Sequence, residues 1–288
     1  MINFILFFLF LSVIMTKIKL ALCQMNVIDD KVENLKKASL MISSASENSD
    51  FIVLPEMFNC PYSNDKFIEY CEDEKDSYTL NKISSLAREN NVYILAGSIP
   101  EKEEDKLFNT SYLFDRNGNV IAKHRKMHLF DIDVKDKITF KESDVLTAGD
   151  EFTIADTEFG KVGIGICYDI RFPELARVMV ENGALVLFYP GAFNMTTGPA
   201  HWELLFRSRA LDNQVFCIGV APALNEDASY HSYGHSIVTN PWGEVMAEAS
   251  EKEDIIFCEI DLDEIKKVRE ELPLLKNKRK DLYEVIKK

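Results

Sequence analysis

Residues 160–190 read GKVGIGICYDIRFPELARVMVENGALVLFYP. The apolar run VGIGI (162–166) ends at Cys167, and ALVLFYP (184–190) forms a second apolar run. Between them Pro173 stands where a first helical turn should start. Leu175, Val178 and Met179 share one helical face, and Gly183 supplies the stop. A buried strand, a helix and a second buried strand in that order point to an α/β layered fold. The insert before the helix is unusual, because Asp169, Arg171 and Glu174 all follow Cys167 within seven residues. A packed core cysteine needs no such company.

The same grammar extends outward. Upstream, FTIADTEFGKVGIGIC (152–167) reads as a hairpin around Glu-Phe-Gly, and SYLFDRNGNVIAKHRK (111–126) as another joined at Asn-Gly. KIKLALCQM (17–25), DFIVLP (50–55) and VYILAGSI (92–99) are strands, separated by helices over 34–48 and 79–90. Downstream come a helix over 199–213, a strand VFCIGVA (215–221) and a hairpin HSIVTN-PWGE-VMAEA (235–249). A last strand, IIFCEIDL (255–262), precedes the charged helix DEIKKVREEL. Helices that alternate with buried strands and hairpins imply a mixed sheet or two packed sheets. No linker, low-complexity tract or repeat divides residues 16–288, which read as a single domain.

Composition narrows the function. The formal charge of −14 argues against a nucleic-acid-binding surface, and the one basic run, KNKRK at 276–280, lies among acidic neighbours. The six cysteines form no C-x-x-C pair and no zinc-spaced cluster, so reduced thiols in a cytosol-like compartment are expected. His124 and His128 lie four apart, but no H-E-x-x-H follows and the flanking residues are basic, so structural or surface roles are expected. No cofactor motif is present; GIGIC lacks the G-x-G-x-x-G pattern. Residues 1–15 are an apolar leader. Its run from Ile2 to Met15 covers 14 residues, short of the about 20 that span a bilayer, and it lacks a basic n-region and a cleavage site. Translation from Met15, or a cleaved targeting extension, fits better than stable membrane anchoring. The location expected is cytoplasmic, with a mitochondrial or other organelle as the alternative if the leader is a genuine targeting signal.

Three polar residues stand just past the C-terminal end of a strand: Glu56 after FIVLP, Lys126 after VIAKHR and Cys167 after VGIGI. Sites in layered α/β folds collect at such ends. Singly each has a bland explanation, as a solvated carboxylate, a member of a basic run, or the end of a core strand. Together they form a kit for attack on a carbonyl-like carbon. Lys126 and the helix opening at Pro173 would favour the Cys167 thiolate, and Glu56 would act as general base. Lys126 and the Tyr168 backbone N–H would hold the oxyanion.

FIVLPEMF, KHRKMHLFD and GIGICYDIRFPE resemble the three catalytic boxes of the nitrilase (carbon–nitrogen hydrolase) superfamily, over about residues 17–283. The segments 130–143 and 193–214 are similar to its omega-amidase branch, whose members hydrolyse the distal amide of α-ketoglutaramate and α-ketosuccinamate. The resemblance implies a four-layer α-β-β-α sandwich, a homodimer, and a small ω-amide dicarboxylate as substrate. It makes Cys167 the nucleophile, Glu56 the base, Lys126 the oxyanion stabiliser and Glu142 a second, orienting glutamate. Other amidases of the superfamily, acting on deaminated glutathione or carbamoyl compounds, share the triad and stay open, as does a non-catalytic interaction protein. Two departures stand out: Val134-Lys135-Asp136 replaces an expected Val-Pro-Gly, and Phe206 replaces a usual polar residue.

Substrate contacts follow from chemistry. A distal carboxylate calls for an arginine fork, and Arg171 lies four residues after the nucleophile. The alternative pairs Arg171 with Asp169 or Glu174 to hold the turn. Phe130 and Phe193 would wall the aliphatic chain, Thr196 or Thr197 would hydrogen-bond its polar end, and Tyr62 completes the expected pocket.

Overall fold

The computed structural model describes residues 16–135 and 138–286. The apolar leader and Asp136 of the Val134-Lys135-Asp136 departure lie outside the described residues. The first half of the chain lays down β1 (Lys17–Gln24), α1 (Lys31–Ser46), β2 (Phe51–Val53), α2 (Asn64–Tyr70), β3 (Glu72–Asp73), α3 (Tyr78–Asn90), β4 (Tyr93–Glu103), β5 (Lys106–Phe114) and β6 (Val120–Arg125). A two-stranded arm follows, β7 (Asp131–Val134) and β8 (Ile138–Lys141). The second half gives β9 (Thr153–Thr157), β10 (Gly160–Ile164), α4 (Pro173–Glu181), β11 (Ala184–Pro190), α5 (Gly198–Asn213), β12 (Phe216–Val220), β13 (Ile237–Thr239) and β14 (Val245–Glu248). The chain then returns to the first sheet with β15 (Asp254–Asp261) before α6 (Asp263–Glu271) and α7 (Leu274–Asn277).

Two mixed sheets result. One runs β15-β1-β2-β4-β5-β6, with β3 on β4, and the other β14-β13-β12-β11-β10-β9. Side chains on a strand alternate faces, and here both faces are apolar. Ile18, Leu20 and Leu22 of β1 meet Val186 and Phe188 of β11 and Phe216 and Ile218 of β12 in a core between the sheets. Ala21 and Cys23 of β1 face α1 and α3, where Leu35, Ala38, Ile42, Ile83 and Ala87 form a second core. Leu187, Tyr189 and Cys217 face α4 and α5 in a third. The order is therefore helix, sheet, sheet, helix, a four-layer α-β-β-α sandwich. Phe51 stacks on Phe188 between the sheets at 4.7 Å, and each such buried ring contributes about 1.5–3 kcal/mol.

Helix ends follow their caps. Asp30 accepts from the Glu33 N–H, so α1 starts at Lys31, three residues before the apolar periodicity suggests. Ser77 caps α3 in the same way. β4 is longer than the run 92–99 and turns at Glu104 into β5, extending that hairpin with polar residues that carry no alternation signal. Phe206 is fully buried, its ring against Tyr189 and Trp202, so this departure from the branch pattern is a packing residue of the outer core.

Candidate active site

Each strand end is shaped to aim one side chain at a shared point. After β2 the chain turns sharply at Met57, whose backbone is left-handed at φ 52°, and the Met57 N–H donates to Ser98 Oγ at 3.0 Å. β4 presses directly on this turn. A Cβ at Gly97 would sit 1.9 Å from the Pro55 carbonyl oxygen, so only glycine fits there. Glu56 is thereby driven inward and is fully buried. Lys126 leaves the end of β6, its backbone N–H donating to the Asn109 carbonyl at 2.8 Å.

Cys167 opens a short 3-10 turn after β10 and also has left-handed backbone, φ 45°, a conformation unusual for a residue with a Cβ. Asp169 secures the turn. Its carboxylate accepts from His124 Nε2 at 3.0 Å, His128 Nδ1 at 2.7 Å, and the backbone N–H groups of Ile166 at 2.9 Å and His128 at 3.0 Å. The two histidines of the basic run thus tie β6 to the Cys167 turn. Among the described residues no group of three or more His, Cys, Asp or Glu could hold a metal ion. Arg209 of α5 donates to the Ile170 carbonyl from the other side at 2.8 Å. Glu174 is exposed in the first turn of α4, and the turn is held by Asp169.

Glu56, Lys126, Cys167 and Glu142 converge. Lys126 Nζ donates to Glu56 Oε1 at 2.9 Å and to Glu142 at 2.9 Å, and the Glu56 carboxylate lies beside Cys167. Glu56 Oε1 further accepts from Asn109 Nδ2 at 2.8 Å, and Oε2 from the Ala192 N–H at 2.7 Å. Glu142 accepts from Tyr62 Oη at 2.6 Å and from the Phe130 N–H at 2.6 Å. Tyr62, expected against the substrate, donates its hydroxyl to this carboxylate and lines a cavity that also reaches Glu56. Asn109, Ala192 and Arg209 carry no motif and were invisible in the sequence.

Burial sets the electrostatics. It raises the Glu56 carboxyl above its ordinary range, with Lys126 opposing and Glu142 adding to the rise. It also pushes the Cys167 thiol well up, and Glu56 adds to that shift more than Lys126 subtracts from it. Burial and Glu56 thus work against a resting thiolate, while Lys126 favours one, and the thiol stands beside a base placed to take its proton. Burial alone would discharge Lys126, but Glu142 and Glu56 outweigh it and hold the ammonium well above its usual range.

Near Cys167, which is 4% exposed, stand Phe193 and Arg171, and Phe130 packs on the adjacent Tyr168. The Arg171 guanidinium lies over Phe193 at 4.6 Å and Tyr168 at 5.6 Å, and Nη1 meets His201 Nδ1 at 3.1 Å. Its buried Nε has no partner among the described residues. No ion pair to Asp169 or Glu174 forms, so the turn-holding alternative is not what the geometry offers. Phe130 meets Tyr168 edge-on at 5.3 Å. Thr197 is buried with its hydroxyl toward Asn194 Oδ1 at 3.3 Å, while Thr196 is partly exposed. A cavity of about 490 Å3 is lined by Glu56, Tyr62, Ala192 and Tyr230, while Cys167 and Arg171 are not among its lining residues.

The sequence model of the family described as carbon-nitrogen hydrolase matches residues 19–270. The chain is 50% identical to the omega-amidase NIT2 of Bos taurus over 272 residues, covering 94% of this chain and 98% of that protein. It resembles the crystal structure of Saccharomyces cerevisiae Nit3, described as a member of branch 10 of the nitrilase superfamily, with TM-score 0.85 and 43% identity, covering 92% and 97% of the two chains. The C. elegans NitFhit protein superposes with TM-score 0.86 at 35% identity, over 94% of this chain and 67% of that one.

Proposed function

The chain belongs to the carbon–nitrogen hydrolase family, and on that footing we propose that it is an omega-amidase acting on α-ketoglutaramate, α-ketosuccinamate and succinamate-like ω-monoamides. The observation that carries the reading is an arginine with an uncommitted Nε near a buried Cys167 that has Glu56 and Lys126 beside it. Such a fork suits a carboxylate at the far end of a short amide. The identity to named omega-amidases supports the same branch.

In the mechanism, Glu56 takes the Cys167 proton as sulfur attacks the amide carbon. Lys126 Nζ and the Tyr168 N–H, an early donor of the 3-10 turn, stabilise the oxyanion. Glu56 passes its proton to the departing nitrogen as the C–N bond breaks, leaving a thioester and ammonia. Water then adds to the thioester, Glu56 takes its proton, and the C–S bond breaks with that proton returned to sulfur. Glu142 holds Lys126 in place through both halves. The products are a dicarboxylic acid and ammonia.

Ammonia release from α-ketoglutaramate, succinamate, deaminated glutathione and carbamoyl-β-alanine tests the reading. Preference for the first two by kcat/KM supports it; preference for either of the others assigns the chain to another amidase branch.

Residues 16–288 act as one hydrolase domain in this reading, and six unpaired cysteines suit a cytoplasmic location. No described helix is long and apolar enough to cross a membrane. A homodimer is proposed through α5. Leu204 and Leu211 lie seven apart on one helical face and are exposed, and the turn bearing exposed Trp242 is fastened there by Arg207 Nε donating to the Gly243 carbonyl at 2.8 Å. A second copy covering this patch fits its apolar character; light scattering with Leu204→Glu, expected to yield monomer, tests it.

A further inference from the structure

The cavity behind Glu56 has a chemistry opposite to that of the Arg171 side. Its wall includes Asp29, Asp65 and Asp227 against one cation, Lys66. Lys66 is already committed to Asp29 at 2.9 Å and Glu69 at 2.8 Å. Asp65 and Asp227 are exposed, so the rim presents negative charge to solvent. An anionic keto acid is repelled by such a rim, whereas ammonium is drawn to it.

The interior carries a second, independent sign of a small polar occupant. Ser232 is 4% exposed, lines the cavity, and its Oγ has no hydrogen-bond partner among the described residues. Asn26 Oδ1, in the same wall, is likewise without one. Buried polar atoms in a roomy polar cavity are satisfied by small hydrogen-bonding molecules. Asn26 Oδ1 can only accept, which suits a molecule rich in N–H or O–H donors. At its inner end the cavity meets the Glu56 carboxylate, the group that must hand a proton to nitrogen and later take one from water.

We propose that this cavity is the ammonia exit and water entrance of the reaction, separate from the site that holds the acyl chain. The inference rests on the amidase reading above. Ammonia formed as the C–N bond breaks moves past Glu56 toward Asn26 and Ser232 and leaves along the acidic rim. Water enters by the same path, adds to the thioester carbon as the C–S bond breaks, and yields its proton to sulfur through Glu56. The acyl group stays on Cys167 beside Arg171 throughout. By reversal, ammonia entering from solvent attacks the thioester, Glu56 carries its proton to sulfur, and the amide is reformed.

The test follows the full-length protein with succinamate in 15N-ammonium chloride, measuring the first-turnover ammonia burst, thioester lifetime by acid quench and mass, and 15N appearing in unreacted amide. Ala228→Phe, which adds bulk to the cavity wall, should slow the first-turnover ammonia burst, lengthen the thioester lifetime and slow 15N exchange, the last by at least ~10-fold, while KM for succinamate stays within about 2-fold. Asp65→Lys with Asp227→Lys, both at exposed positions and checked for folding by circular dichroism, should slow 15N exchange by about 3-fold or more and leave KM within about 2-fold. A lower KM and faster burst in the rim variant would make the cavity the substrate's own entrance and overturn the proposal. An unchanged thioester lifetime in folded Ala228→Phe would do the same. If the unmodified protein forms no thioester with any ω-amide, the omega-amidase reading itself fails, which is a different result.

Discussion

Lys126 Nζ and the carboxylate of Glu142 are 2.9 Å apart with both side chains fully buried, and the same ammonium bridges to Glu56 at 2.9 Å. A buried cation between two anions is fixed in place, so an oxyanion formed beside it is met without reorganisation. Lys126→Met and Glu56→Gln should each lower kcat by at least ~100-fold, the scale of a lost oxyanion donor or general base. A Lys126→Met variant that changes only KM would make Lys126 a binding residue. Cys167→Ala should abolish turnover in a folded protein, and combining it with either change should cost nothing further.

Glu142 also bears on the working pH. Burial raises the Glu56 carboxyl, and the Glu142 charge raises it further. A base is active only when deprotonated, so the acid limb of kcat/KM lies above the ordinary glutamate value of about 4.3 and activity climbs as pH rises through it. Glu142→Gln removes a like charge and leaves Lys126 to Glu56 alone, so that limb should move to lower pH even as turnover falls. A limb that stays put would mean Glu56 is not the group being titrated.

Arg171 stands over Phe193 and Tyr168 with its Nε uncommitted. Lysine keeps the charge but loses the fork. Arg171→Lys should weaken kcat/KM for amides with a distal carboxylate by about 1.5–3 kcal/mol and leave neutral amides of equal length nearly unchanged. Equal losses for both would make Arg171 a structural residue.

Asp169 holds the nucleophile turn to β6. Burial alone would raise its carboxyl, but hydrogen bonds from His124 and His128 outweigh that and keep it well below the usual range. A depressed carboxylate stabilises the fold fully above its unfolded value of about 3.9, and that contribution fades as pH falls through the folded one. Asp169→Asn should cost about 3–5 kcal/mol at pH 7 by stranding its buried donors. Its thermal midpoint should also fall less steeply in acid than that of the parent protein, which differential scanning calorimetry would read directly.

What could be read in the sequence had local causes. The VGIGI run, Pro173 and Gly183 each state their role within a few residues, and Glu56, Lys126 and Cys167 are marked by standing at strand ends. The arm β7–β8 and helix α2 are harder to read because four residues of alternation, as in DIDV and ITFK, or seven of a helix are too short to stand out from a loop. The partners of Asp169 lie more than forty residues away, at His124 and His128, where spacing suggested at most a metal pair. Nothing local reveals that the Tyr62 hydroxyl is received by Glu142, eighty positions later. The Asn26–Ser232 cavity joins loops from opposite halves of the chain, and no single stretch carries its signature.

The pairing of β1 with β15, Lys17 opposite Asp261, also imposes an order of events during synthesis. As the polypeptide leaves the ribosome, β1 exposes an apolar flank whose partner has not yet been translated. At typical elongation rates the wait is roughly 10–50 s, long compared with collapse of the nascent segment. Throughout it the growing chain carries an open edge of the kind that recruits other strands. A transcript truncated just before Asp254 would thus yield a protein whose triad residues are all encoded but whose first sheet is left unclosed.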